Sequence, residues 1–439
     1  MLIPQWVATG EASAPVLTDS AVIVENGRIS QVLPSEQAAQ QFPDLTRVEL
    51  PDHLVTPGFV NAHTHVAMSL LRGYADDLPL QEWLNNRIWP AEGKWVSEEF
   101  VYDGAVLGCF EMLLGGTTTF NDMYFFPEAT ARAAQSLGMR ASVGMILIDF
   151  PSAYGAGPDD YLRKGLALRD QYRDEGHISF CLAPHAPYTV SDDAFKRVAT
   201  LADELQLPVH VHLHETAFEV EESVKAHGKR PIARLADLGL VGPGLIAVHA
   251  VHLEDAEIET LAKNNCSVAH CPHSNLKLGS GIAPISDLLA AGVTLGIGTD
   301  GSASNNKLDL LAETRTAALL AKGASANAAS FSAAQALEAM TLGGARALGL
   351  DHEIGSIAAG KQADLVAIDL SAPQVQPVFD PIAQLIYAAD RTQVSDVWIG
   401  GRHVAHRQQL TVSSGRNALS EVVARIPVWQ NRLSDVLDH

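Results

Sequence analysis

Cysteine is scarce in this sequence and unpatterned: Cys109, Cys181, Cys266 and Cys271 form no C-x-x-C pair. That excludes a dense disulfide framework and fits a reducing compartment, so the expected location is cytoplasmic. Basic residues are in deficit as well. The chain carries 30 Lys and Arg against 51 Asp and Glu, a formal charge of -21, which opposes the counterion release that drives binding to a polyphosphate. No nucleic acid partner is expected. Long apolar runs are missing too. The most apolar stretch, "LLAAGVTLGIGT", is short and broken by glycines, so no bilayer span or membrane partner is expected. The N-terminal "MLIPQWVATGEASAPVL" lacks the basic region and long apolar core of an export signal.

What the chain does have is length and alternation. At 439 residues, 47% of them apolar, it exceeds the size at which one core stops growing, which leaves one large barrel with an accessory domain or two ordinary domains. Strand-like runs occur at 54–65, 117–124, 140–148, 178–188, 207–215, 245–253, 266–275 and 294–301. Segments with apolar residues at helical spacing lie between them, at 100–116, 127–138, 191–206, 221–239, 253–264 and 282–292. This alternation predicts an α/β fold, a (β/α)8 TIM-type barrel. Short strands recur at the two ends, with an Asn-Gly turn at 26–27. They predict a small β-sandwich domain built from both chain ends. The expected division is 1–56 and 360–412 for that domain, 57–359 for the barrel and 413–439 for a terminal helical segment. That segment suits packing on the barrel or on another subunit, so a homo-oligomer stays open.

The histidines are distributed unevenly. Ten of the 17 fall in the strand-like runs, toward their C-terminal ends, where the active sites of such barrels are assembled. His63 and His65 stand at i and i+2 and so share one face of a strand. In "HVHLHE", His210, His212 and His214 also share a face, with Glu215 next. A catalytic zinc takes nitrogen and oxygen ligands and keeps a position for water, so His63, His65 and one of the trio supply nitrogens. Asp300 in "GIGTDGSASNN" is an ordinary turn residue when read alone. Beside the histidines it is the acidic ligand still wanted, and its flanking glycines let the backbone approach closely.

These motifs carry a family resemblance. "PGFVNAHTH", "HVHLHE", "AVHAVHL", "HCPHSNLKLGSGIAP" and "GTDGSASNN", in this order, resemble the amidohydrolase superfamily, and "GSIAAGKQADLVAIDL" resembles its C-terminal β-domain signature. The stretch "SLLRGYADDLPLQEWLNNRIWPAEGKW" brings the similarity nearest to the 5'-methylthioadenosine/S-adenosylhomocysteine deaminases. The resemblance implies one divalent metal, most often zinc, on His63, His65, His212 and Asp300. Two-metal members carry a lysine at the end of strand four, where this chain reads "CLAPHAPYT". It further implies that Asp300 takes a proton from the attacking water, that His249 orients that water and that Glu215 protonates N1 of a purine. Glu92 matches the carboxylate that grips the ribose hydroxyls, and His185 the histidine that contacts the purine. The substrate implied is a small nucleoside, 5'-methylthioadenosine ahead of S-adenosylhomocysteine or adenosine, because only Arg163 lies in the region whose arginines hold a homocysteine carboxylate. His210 and His214 are expected to support or pack, Trp83, Trp89 and Trp95 to form lid and packing aromatics, and His270 is open between substrate contact and support. Two other readings remain at this point: a deaminase or chlorohydrolase acting on a free base or triazine, and a metal-free barrel serving as a binding scaffold.

Overall fold

The computed structural model describes residues 1–437. Eight parallel strands pair in chain order: β1 (Phe59–Thr64), β2 (Thr117–Asp122), β3 (Arg140–Leu147), β4 (Ile178–Pro184), β5 (Val209–Leu213), β6 (Leu245–His249), β7 (Ser267–His270) and β8 (Thr294–Ile297). Every residue of β1, β2, β3, β5, β6 and β7 is buried, as expected for strands with helices outside and a filled interior. The ring is joined beyond β8, where the backbone N–H groups of Thr299 and Asp300 both donate to the His63 carbonyl at 3.1 Å. Closure of the barrel therefore brings the end of β1 against the tip after β8. Gly298 permits the approach: a Cβ there would lie 3.0 Å from the His63 carbonyl oxygen and 2.8 Å from Cys271 Sγ.

Several segments differ from the sequence pattern for identifiable reasons. The run 54–65 is two strands. Val48–Pro57 belongs to the small domain and Phe59–Thr64 to the barrel. They part at Gly58, where a Cβ would lie 2.1 Å from Thr118 Oγ1. The segment 221–239 is also divided, into helices Ala217–His227 and Pro231–Asp237, separated at Gly228 with φ 67°. The sequence pattern does not single out the helix Pro158–Gln171, in which charged residues crowd the apolar spacing.

The strands of the small domain form one nine-stranded mixed sheet. At its middle, Val48–Pro57 pairs parallel with Leu2–Val7 and antiparallel with Leu365–Asp369, so both chain ends are needed to build it. The predicted hairpin is present: Ser20–Glu25 pairs with Arg28–Pro34 across Asn26 and Gly27, whose φ angles are 50° and 80°. A buried ion pair links the sheet to the barrel, Arg140 Nε of β3 donating to Asp364 Oδ2 at 3.0 Å. The terminal helix Ser413–Leu437 packs on helix Glu98–Leu114, where Arg425 and Trp429 both donate to the buried Asp103 carboxylate at 2.8 Å. No described helix is long and apolar enough to cross a membrane.

Candidate active site

The C-terminal ends of β1, β5 and β6 and the tip after β8 converge on one buried cluster. His63 Nε2 lies 3.3 Å from His212 Nε2 and 3.2 Å from Asp300 Oδ1, and His65 Nε2 lies 3.2 Å from the same oxygen. The remaining ring nitrogens are engaged elsewhere. His65 Nδ1 faces the Met123 carbonyl at 2.5 Å and His212 Nδ1 the His185 carbonyl at 2.8 Å. A carbonyl only accepts, so these Nδ1 atoms carry protons and the Nε2 atoms point inward, toward one another and the carboxylate. His63 Nδ1 meets His210 Nε2 at 2.8 Å, which gives His210 the supporting place expected of it. Burial pushes His63 down to about 3 and His212 well below the usual imidazole range, which keeps both rings neutral. At His65 burial is outweighed by the hydrogen bond and charge of Asp300, which raise it to about 9 and add a proton that a bound cation would displace. Three imidazole nitrogens and a carboxylate, oriented from behind and converging on one point, are then a donor set that fits a divalent cation.

Asp300 is held from its other side. Its Oδ2 accepts from Ser274 Oγ at 2.5 Å and Ser304 Oγ at 2.9 Å, and the residue sits at φ 57°. His249 is in the same left-handed region, at φ 70°, which brings its ring within 5.4 Å of His212 and its Nε2 within 3.8 Å of Glu215 Oε2. Such backbone angles are costly for residues other than glycine and collect at functional tips. Glu215 is buried, accepts from Ser280 Oγ at 3.3 Å, and has its acidity weakened by that burial.

One cavity of about 220 Å³ opens onto this cluster and is lined by His65, His212, His249, Glu215 and Asp300, together with Glu92 and His185. Glu92, on helix Trp89–Trp95, accepts from the Tyr124 hydroxyl at 2.6 Å, and burial raises its carboxyl to about 7. His185 follows β4, with Nδ1 2.9 Å from Thr189 Oγ1, and burial lowers it to about 3. Trp83 and Trp89 line the cavity, whereas Trp95 lies beyond it under Lys94 and Arg432.

The structure separates other residues from the site. His214 does not share a face with His210 and His212. The strand ends at Leu213, and φ 56° at His214 turns its ring outward to the His252 carbonyl and the Ile232 N–H. Arg163 is exposed, pairs with Asp160 on helix Pro158–Gln171 and does not line the cavity. His270 is buried in the barrel with neither ring nitrogen hydrogen-bonded among the described residues, and it is absent from the cavity wall.

The sequence profile described as "Amidohydrolase family" matches residues 54–404. The chain belongs to the amidohydrolase family. It is 44% identical over 428 residues to the 5-methylthioadenosine/S-adenosylhomocysteine deaminase of Teredinibacter turnerae, covering 98% of this chain and 96% of that one. Among solved structures, an adenosine deaminase from Xanthomonas campestris with bound zinc matches with a TM-score of 0.94 and 49% identity, over 99% of this chain and 98% of that one. Atrazine chlorohydrolase from Arthrobacter aurescens, complexed with zinc, matches with a TM-score of 0.87 and 25% identity, over 97% and 100%. These likenesses place this amidohydrolase with the 5-methylthioadenosine/S-adenosylhomocysteine deaminases.

Supporting residues of this amidohydrolase that the sequence pattern does not single out become visible around Glu215 and His249. Buried Glu219 accepts from the backbone N–H of His214 at 3.1 Å and of Glu215 at 2.8 Å, so it fixes the turn that aims Glu215. Asn275 Oδ1 lies 2.8 Å from His249 Nδ1 and orients that ring. Glu219 reads in sequence as an ordinary first-turn acid of the helix Ala217–His227. Ser274 and Asn275 lie inside the quoted "HCPHSN", and only their contacts reveal what they hold.

Proposed function

We propose that the protein is a hydrolytic deaminase of adenine nucleosides with 5'-methylthioadenosine as its preferred substrate, and S-adenosylhomocysteine and adenosine as poorer ones. The observation that carries this reading is the wall of one cavity, which combines the imidazole and carboxylate cluster with Glu92 and mostly apolar side chains, and has no Lys or Arg among the described residues. Glu92 offers two acceptor oxygens to two vicinal hydroxyls, which suits a ribose. Trp83, Leu84, Ile88, Trp89 and Phe150 provide apolar surface for a methylthio group. A homocysteine carboxylate would enter this cavity with no cation to meet it, at the cost of an unpaired charge. The deaminase relatives support the same reaction class.

His63, His65, His212 and Asp300 would hold one divalent cation, zinc being the ion of the related structures. When bound, it supplies the positive charge that lowers the pKa of water toward neutrality. Asp300 takes a proton from the attacking water, and His249, set by Asn275, hydrogen-bonds that water. Glu215, whose acidity burial weakens, donates to N1 of the purine as water adds to C6. Asp300 hands its proton to the amino group, which leaves as ammonia as the C6 hydroxyl becomes a carbonyl and returns a proton to Glu215, and the product is the inosine-type nucleoside. His185 contacts the base. The test is a spectrophotometric comparison of 5'-methylthioadenosine, S-adenosylhomocysteine, adenosine, guanine and atrazine with zinc-loaded enzyme. The highest kcat/KM is expected for 5'-methylthioadenosine; a preference for guanine or atrazine would overturn the reading.

A further inference from the structure

Far along the chain from the barrel motifs, the strands Val394–Ile399 and Arg402–His406 set a carboxylate and two imidazoles on one face of the small-domain sheet. Asp396 stands opposite His406 and Trp398 opposite His403, and directly opposed residues share a face. His403 and His406 are three positions apart, which on a regular strand would turn them to opposite faces. The register shift between Val397 and Trp398 makes Val404 the extra residue of a β-bulge, and the bulge brings both imidazoles to the Asp396 side. Asp396 Oδ1 lies 2.9 Å from His403 Nε2 and 2.7 Å from His406 Nδ1. The Trp398 ring stacks on His403 with centroids 5.0 Å apart and planes at 18°, which holds that imidazole in place.

Asp396 is 6% exposed, and among the described residues its ion pairs are with the two imidazoles and with no Lys or Arg. A nearly buried carboxylate is stabilised by a positive charge beside it, and no lysine or arginine supplies one. One ligand atom from each of the three residues lies within 4.8 Å of the others, and His406 is open to solvent.

We propose that Asp396, His403 and His406 form a second divalent-cation site, separate from the barrel cavity. Two imidazole nitrogens and one carboxylate favour a borderline ion such as zinc over magnesium or calcium, and water completes its coordination on the exposed side. None of the three residues lines the cavity, so the ion clamps one strand to the next and leaves substrate untouched. The test is zinc content by mass spectrometry after dialysis of the whole protein against micromolar zinc. The wild type should hold one equivalent more than the double variant His403→Ala/His406→Ala, with deaminase activity unchanged between them. Asp396→Asn, which keeps the shape and removes the charge, should lose the same equivalent and decides the matter if the double variant folds poorly. A thermal shift on zinc addition to barrel-loaded protein should appear in the wild type and vanish in the variants. Equal zinc content in wild type and variants, or an extra equivalent that survives both changes, would overturn the site whatever the barrel reaction proves to be.

Discussion

Glu215 and Glu92 share one cavity and one physical perturbation, burial, yet the proposed reaction needs them in opposite protonation states. Glu215 must carry a proton to give, so Glu215→Gln should lower kcat by about 10²- to 10⁴-fold while zinc content by mass spectrometry stays at the wild-type level. Glu92 must be ionised to accept from two hydroxyls, so Glu92→Ala should reduce kcat/KM for nucleosides by about 10- to 100-fold. Any activity on a free base should be spared. Because burial raises the Glu92 carboxyl to about 7, a falling pH adds its proton and removes an acceptor. The nucleoside KM should therefore rise as pH drops through about 7, and the rise should be absent in Glu92→Gln. At this scale the sequence was legible where chemistry follows from residue type and spacing, as with His63 in β1 and His65 just past its end, which meet at Asp300. It was illegible where a backbone angle decides. His214 repeats the i, i+2 spacing, but the strand stops one residue earlier and a positive φ turns the ring away.

Among the elements, the decisive joint lies between β1 and the tip after β8, where the His63 carbonyl accepts from two successive N–H groups. Gly298→Ala would push a methyl against that carbonyl and Cys271, overpacking that costs about 1–3 kcal/mol. Because the strain falls on the backbone that carries His63 and Asp300, zinc occupancy and kcat should decline together; loss of stability with full zinc occupancy would show that the joint does not set the site. Glu219 acts on the neighbouring turn. Glu219→Ala leaves two buried N–H groups without an acceptor, at about 1–3 kcal/mol each, and should lower kcat with little change in KM, since it positions Glu215 and does not line the cavity. The alternation of strands and helices was readable because a period-two or fully apolar run differs from a 3.6-residue stripe. The division at Gly58 was not, because both halves of the run are buried and look alike to any periodicity.

For the whole molecule, the question is how a sheet built from both chain ends stays fixed to a barrel that carries the chemistry. The Arg140–Asp364 pair answers it in part, because it joins the first residue of β3 to the C-terminal signature "KQADLVAIDL". Asp364 has a second task, accepting from the Gly400 N–H at 2.7 Å, so its carboxylate ties β3 to the turn between two small-domain strands. Removing one partner of a buried pair leaves the other charged and unmatched, which costs about 3–5 kcal/mol. Asp364→Ala should therefore lower the denaturant midpoint by an amount of that order, while the kcat of the surviving folded fraction stays near wild type, because neither residue of the pair lines the cavity. Replacing both partners with apolar residues of similar size should recover much of the loss. If the double replacement were as unstable as Asp364→Ala, the weakness would lie in the lost bond to Gly400 and not in a stranded Arg140.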